Sequence, residues 1–233
     1  MRYSKFLDYI GFSQQSVSHR EKLVATVGGF FGIYGIFMTS YWLLDTEFAV
    51  LIIPSMGASA VLLFAAPHVV FSQPWDVVAG HIFSGIVGVA CWKWIPDYTI
   101  AASASVALAI GVMVATRSVH PPGGATALAA VIGSERLHNL GFSYELEPVL
   151  LNVITILLVA IVFNNLFKWR RYPTHLHLSN QPVEVEVQSY QPINHEDFVY
   201  ALSHIETYVD IEEDDLLKIY DLATKKHNKE NSD

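Results

Sequence analysis

The sequence predicts an all-α integral membrane protein of six crossings. The predicted plan is a 3+3 inverted repeat with two broken helices, followed by a small cytoplasmic helical tail. Three observations carry the prediction. The 233 residues are 52% hydrophobic and only 15% charged, where a soluble domain carries about 25% charged residues. Charge is also segregated: long uncharged runs fill residues 23–167, whereas 173–233 is polar and acidic. Finally, a short motif of proline, glycine and small residues occurs twice within apolar sequence, at 54–61 and 121–128.

These features divide the chain into a cytoplasmic N-terminal segment (1–22), a transmembrane domain (23–172) and an acidic cytoplasmic tail (173–233). The net charge of −8 resides mostly in the tail and gives no electrostatic footing for nucleic acid. Cys91 is the single cysteine, so neither an intrachain disulfide nor a cysteine-based metal site is expected. The N-terminal residues lack the short apolar core and small-residue cleavage site of a signal peptide.

Taken in order, apolar runs at 23–44, 47–67, 76–95, 99–116 and 148–167 are each near the length that crosses a bilayer. A shorter run, 120–133, would cover only about 21 Å as a helix and needs an extended lead-in to cross. Basic residues set the topology. Arg2, Lys5, Arg20 and Lys22 precede the first run; Lys168, Arg170 and Arg171 follow the last. Both termini are therefore expected in the cytoplasm, with the chain in the cell inner (plasma) membrane. That requires an even number of crossings and makes the short run the sixth. The loops at 45–47 and 134–147 then face outward, with Lys93 the exception to the charge pattern.

The repeat aligns Pro54-Ser-Met-Gly-Ala-Ser-Ala-Val61 with Pro121-Pro-Gly-Gly-Ala-Thr-Ala-Leu128, four of eight positions being identical. Gln73-Pro74 and Glu147-Pro148 follow the two copies in the same order. Three crossings per copy turn the second copy upside down, a recurring plan in transporters. Proline lacks an N–H and disfavours helix in the residue before it. Pro54 and Pro121-Pro122 are therefore expected to break their spans and start two half-helices whose N-termini face each other.

A helix N-terminus presents unpaired N–H groups and a partial positive charge. Two that face each other suit a small anion. The expected substrate-binding residues are Ser55, Met56, Gly57, Ala58 and Ser59 from the first copy, and His120, Pro122, Gly123, Gly124, Ala125 and Thr126 from the second. The glycines would let a ligand reach the backbone, and Ser55, Ser59 and Thr126 offer hydroxyl donors. The same small residues also serve close helix packing with no ligand. Arg117 either holds the anion at the cytoplasmic mouth or extends to the membrane surface. His81 and Asn152 either line the path or tie helices together. His120 is open to packing or to carrying a proton.

In the tail, Val183–Val187 alternates as a strand would, and Asn194 and Asp210 read as helix N-caps, so the tail is mostly helical after 194. His175, His177, His195 and His204 fit no usual metal-ligand spacing, and the acids of 210–215 lack the glycine of a calcium loop. No metal, cofactor or catalytic residue is expected, and the chain is not read as an enzyme.

One segment carries a family resemblance. Val119-His-Pro-Pro-Gly-Gly-Ala-Thr-Ala-Leu128 resembles the signature of the HPP family of membrane proteins. Met56–Phe64, Gln73-Pro74, Gly80-His81, Phe163–Leu166 and Arg171–Pro173 are similar to other family segments. The resemblance covers roughly residues 20–175 and implies an integral membrane protein. Plastid and cyanobacterial members are implicated in moving nitrite. Family descriptions often count four spans, whereas charge and repeat here give six. Relatives often carry a basic residue after the Gln-Pro pair; here Trp75-Asp76 follows, which bears on substrate or rate.

The expected function is therefore transport of a small monovalent anion, nitrite first, with nitrate, formate or bicarbonate fitting nearly as well. The lipid bilayer is the expected surround; self-association is left open, and the tail is a candidate contact for a cytoplasmic partner. The rival from another class is a membrane sensor with the tail as output. An enzyme using Arg117, His120 and Asp76 has no catalytic spacing to support it.

Overall fold

The structure, a computed structural model, describes residues 18–43, 46–144 and 148–174, with the backbone alone over 46–53. The expectations for the tail beyond Thr174 and for residues 1–17 lie outside the described residues. The described residues from Lys22 to Thr174 belong to one compact unit, and the architecture below is that unit's.

Seven α-helices are present among the described residues: α1 His19–Leu43, α2 Thr46–Ala65, α3 Pro74–Trp94, α4 Tyr98–Ala115, α5 Pro121–Ile132, α6 Glu135–Leu140 and α7 Leu150–Asn165. Short 3₁₀ turns lie at Val70–Ser72, Gly141–Tyr144 and Lys168–Arg170. No strand occurs among the described residues. Each of the six apolar runs corresponds to one helix. In hydrocarbon only an internally hydrogen-bonded backbone is tolerated, and for these runs that means helix. α1, α3 and α4 are long and apolar enough to cross a bilayer. Local signals set the starts: Asp97 accepts the Ile100 N–H at 2.8 Å and caps α4, while Pro74 and Pro121 open α3 and α5.

One sequence expectation is corrected. Pro54 does not break its span, because α2 runs from Thr46 to Ala65 with Pro54 inside it. A single proline removes one N–H, and membrane helices tolerate that where continuing the helix pairs every other backbone group. Only one of the two expected half-helix N-termini therefore exists, at Pro121. Two consecutive prolines there remove two donors, and His120 takes the extended conformation (φ −127°, ψ 102°) that a following proline favours.

Contacts along the bundle fix helix direction. Ser40 on α1 reaches Asn152 on α7, and Phe31 packs on Phe163, so α1 and α7 are antiparallel. The carbonyls of Leu63 and Phe64, at the end of α2, meet Asn164 in the last turn of α7 and Arg170 just past it. Trp75, at the start of α3, donates to the Thr116 carbonyl at 3.4 Å, just past the end of α4. α3 and α5 run parallel, with Gly80 beside Gly123 and Gly88 beside Ala127 and Ala130. The six long elements thus alternate in direction. One end of the bundle collects residues 66–73, 116–120 and 166–174. The other collects 95–97 and 133–144.

The first end is tied by side chains. Arg170, wholly buried, donates to the Phe64 carbonyl and to Asn164 Oδ1 at 3.1 Å, and Asn164 Nδ2 donates to the Leu63 carbonyl at 3.1 Å. The otherwise orphaned carbonyls that end α2 are satisfied, by a cation placed where the helix dipole favours one. Tyr172 donates to the Ser72 carbonyl, and Gln73 Oε1 accepts the Thr174 N–H at 3.1 Å. Burial and the charge of Asp76 push the Tyr172 hydroxyl well above its ordinary pKa, so it stays a donor. At the other end the expected outer loop folds back: α6 is followed by a turn at Gly141, whose φ of +52° suits glycine. His138 stacks on Trp92 with ring centroids 4.1 Å apart.

Large apolar side chains cover the outside, Trp42, Val162 and Leu166 being at least 66% exposed. Seven serines, His81, His120, Thr126, Asn152, Asn164 and Arg170 are buried inside. Water would favour the reverse arrangement; lipid permits it.

Candidate functional site

Four of the buried polar side chains form one connected group where α2, α3 and α5 meet. Ser59 Oγ lies 2.9 Å from His81 Nε2 and 2.8 Å from His120 Nε2. His81 Nδ1 lies 2.7 Å from Thr126 Oγ1, and His120 Nδ1 lies 2.7 Å from the Phe71 carbonyl oxygen. Ser59, His81, His120 and Thr126 are at most 1% exposed. The two imidazoles meet edge to face with centroids 4.9 Å apart.

The sequence places these groups for local reasons. Ser59 is one and a half turns into α2 from Pro54. Thr126 holds the equivalent position in the second motif copy, on α5. His81 is two turns into α3. His120 stands just outside α5, extended because Pro121 follows it, and this directs its ring back toward α2. Glycine allows the close approach of α3 and α5. A Cβ on Gly80 would lie 2.6 Å from His120 Cβ, and one on Gly123 would lie 2.7 Å from the Gly80 carbonyl oxygen. Gly123 thus serves helix packing, the alternative open from its sequence context.

Proton direction along the chain follows from donor and acceptor inventory. A carbonyl only accepts, so neutral His120 carries its proton on Nδ1 and accepts at Nε2. The Ser59 hydroxyl supplies that proton. Ser59 Oγ then accepts from His81 Nε2–H, which leaves His81 Nδ1 to accept from the Thr126 hydroxyl. The order is Thr126 to His81 to Ser59 to His120 to the Phe71 carbonyl, every donor pointing the same way. Second acceptors lie beside both hydroxyls: the Ser55 carbonyl is 3.2 Å from Ser59 Oγ, and the Pro122 carbonyl is 3.5 Å from Thr126 Oγ1.

The other expected site residues divide. Ser55, Met56, Pro122 and Gly123 are buried beside the chain. Gly57 and Gly124 are half-buried, and Ala58 and Ala125 face outward from their helices. Arg117 is exposed at the end of the bundle, past α4, with φ +52°. Asn152 is not joined to the chain: its Oδ1 accepts from Ser40 at 2.8 Å, and its buried Nδ2 has no hydrogen-bond partner among the described residues. The pair of facing N-termini expected here is replaced by side chains, with His81 standing between the two hydroxyls.

Sequence reasoning missed three participants. The Phe71 carbonyl closes the chain from a 3₁₀ turn with no motif. Tyr144, wholly buried, donates to the Thr126 carbonyl at 3.4 Å from beyond α6. Ser84, one turn past His81, is buried with its hydroxyl unpartnered among the described residues; its spacing of three from His81 was the available signal. Two imidazoles and hydroxyls make a poor metal site, and no group of three metal-ligating side chains occurs among the described residues.

Comparison with known proteins adds the following. A family model described as HPP, transmembrane region, matches residues 14–173. Two proteins of Dictyostelium discoideum, each named only as a transmembrane protein, are similar. One is 38% identical over 151 residues, covering 63% of this chain and 48% of its own length. The other is 39% identical over 136 residues, covering 57% and 47%. The chain spans about half the length of these curated relatives. No solved structure matches.

Proposed function

We propose that this chain, which belongs to the HPP transmembrane family, carries a small monovalent anion, nitrite first, across the membrane. The observation that supports the reading is the buried hydroxyl–imidazole chain at the crossing of α2, α3 and α5. Polar and ionisable groups deep in a membrane bundle are costly, and they mark solute paths. The substrate sits against hydroxyl side chains rather than between helix ends, since α2 offers no N-terminus at Pro54.

Six crossings with both termini in the cytoplasm of an inner-membrane protein complete the proposal. Its support is the alternating direction of the six long helices, together with the basic residues before and in the first turn of α1 and after α7. Ser59 and Thr126, equivalent in the sequence repeat, contact opposite nitrogens of His81. That supports an inverted repeat whose axis passes near His81. On this topology a label at residue 140 is reached by an impermeant reagent from outside the cell; labelling only after permeabilisation overturns the orientation.

The test of transport is flux into liposomes that hold only this protein. Uptake of nitrite, nitrate, formate and chloride is compared with protein-free vesicles. Uptake of nitrite above that background is expected, and no flux of any of the four overturns the reading.

A further inference from the structure

In the resting chain no hydroxyl or imidazole proton is spare. Thr126 donates to His81 Nδ1, His81 Nε2–H to Ser59, Ser59 to His120, and His120 to the Phe71 carbonyl. An anion finds no unoccupied donor among these four side chains. One added proton changes this. Protonated at Nδ1, His81 becomes a donor on both sides, and Thr126 Oγ1 turns from donor into acceptor at the same 2.7 Å contact. The Thr126 O–H is released. Without a ligand it falls back on the Pro122 carbonyl, 3.5 Å away.

A second, independent feature adjoins this point. Ser84 lies one turn past His81 on α3, and Gly123 one turn before Thr126 on α5. The two face each other: Ser84 Oγ is 2.8 Å from where a Gly123 Cβ would stand. Ser84 is fully buried, and its hydroxyl has no hydrogen-bond partner among the described residues. An unpaired buried hydroxyl therefore stands beside the helix face from which protonation of His81 releases another.

The geometry points to proton-coupled, electroneutral anion transport, in which His81 takes up one proton for each anion and the Thr126 and Ser84 hydroxyls hold that anion. This rests on the transport reading above. The step balances: one N–H bond forms on His81 with a proton from water, one anion is bound, and the net charge added is zero. Release of both on the far side restores the starting chain. Among charged and titratable groups, His120 faces His81, with ring centroids 4.9 Å apart; Asp76, Cys91 and Lys93 lie elsewhere on α3, Arg117 past α4, Tyr144 beyond α6, and Arg170 and Tyr172 past α7. α2 from residue 54 onward and α5 carry none. Arg170 is bonded to the end of α2, Tyr172 to Ser72, and Tyr144 to the Thr126 carbonyl rather than its hydroxyl.

The test is nitrite uptake into proteoliposomes with the membrane potential clamped by potassium and valinomycin and the leak of protein-free vesicles subtracted. Internal pH is followed with a trapped dye. An alkaline interior is expected to drive nitrite in with one proton each, and a clamped potential of either sign leaves the rate unchanged. H81Q loses accumulation driven by the pH gradient. S84A raises the KM for nitrite roughly tenfold and keeps the one-to-one ratio. Wild-type uptake that follows potential and ignores the pH gradient overturns the coupling while transport stands. Flux of no anion overturns the transport reading itself. A folded H81Q that still moves one proton per nitrite overturns the role of His81.

Discussion

The two copies of the small-residue motif share four of eight residues and end in different backbones. Around Pro54 the chain stays helical through the proline; at Pro121 a helix begins. The number of prolines decides it. One missing N–H leaves a continuing helix as the best arrangement, whereas Pro121-Pro122 removes two and forces His120 to be extended. Six residues into each copy the difference vanishes, and Ser59 and Thr126 each meet a nitrogen of His81. Backbone breaks depend on local chemistry, and the shared hydroxyl register depends on packing around a common partner.

The largest effect that separates the copies is expected at the glycines. Gly123→Ala places a Cβ against the Gly80 carbonyl and Ser84 Oγ at 2.7 and 2.8 Å. Backbone cannot yield as a flexible side chain can, so a loss of about 3 kcal/mol is expected, the upper end for overpacking. Gly57→Ala, at the first-copy position that matches Gly124 (Met56 is what matches Gly123), meets no heavy atom within 4 Å. It should leave stability unchanged or raise it by about 0.5 kcal/mol through helix propensity. Thermal midpoints of the two variants in one detergent check the contrast, and equal shifts would contradict the packing described.

A smaller effect should sharpen the equivalence of the hydroxyls. Ser59→Ala leaves both His81 Nε2 and His120 Nε2 without a partner, whereas Thr126→Val leaves only His81 Nδ1. Each orphaned buried group costs about 1–3 kcal/mol, so Ser59→Ala should destabilise about twice as much. The double variant should fall short of the sum by about 0.5 kcal/mol or more, because both hydroxyls share His81. Strict additivity in the melting data would mean that the chain is not continuous.

Much of the fold was legible because hydrocarbon leaves the backbone few choices. The six apolar runs locate α1 to α5 and α7 to within a few residues, and Pro74 and Pro121 mark helix starts. Ser59, His81, His120 and Thr126 were candidates on residue type and depth alone. Their connection was not legible. His81 and Thr126 are 45 positions apart, and His120 and Phe71 are 49 apart; no periodicity relates them. Arg170 read as a topological charge and is instead the buried cap of α2, a role created by the return of the chain after α7. Tyr144 lay in an expected outer loop that folds back onto α5.

The sequence by itself determined which segments are helical, where α5 must begin and which residues are polar in an apolar setting. Each follows from short-range chemistry: apolar run length, the missing N–H of proline, and the cost of a polar group in lipid. Tertiary structure alone decided that α2 continues through Pro54, that Gly123 meets Gly80, and that His81 stands between the repeated hydroxyls with His120 beyond Ser59. Those outcomes depend on which distant groups satisfy one another once the helices pack, and hydrogen-bond partners chosen across the bundle leave no trace in local sequence.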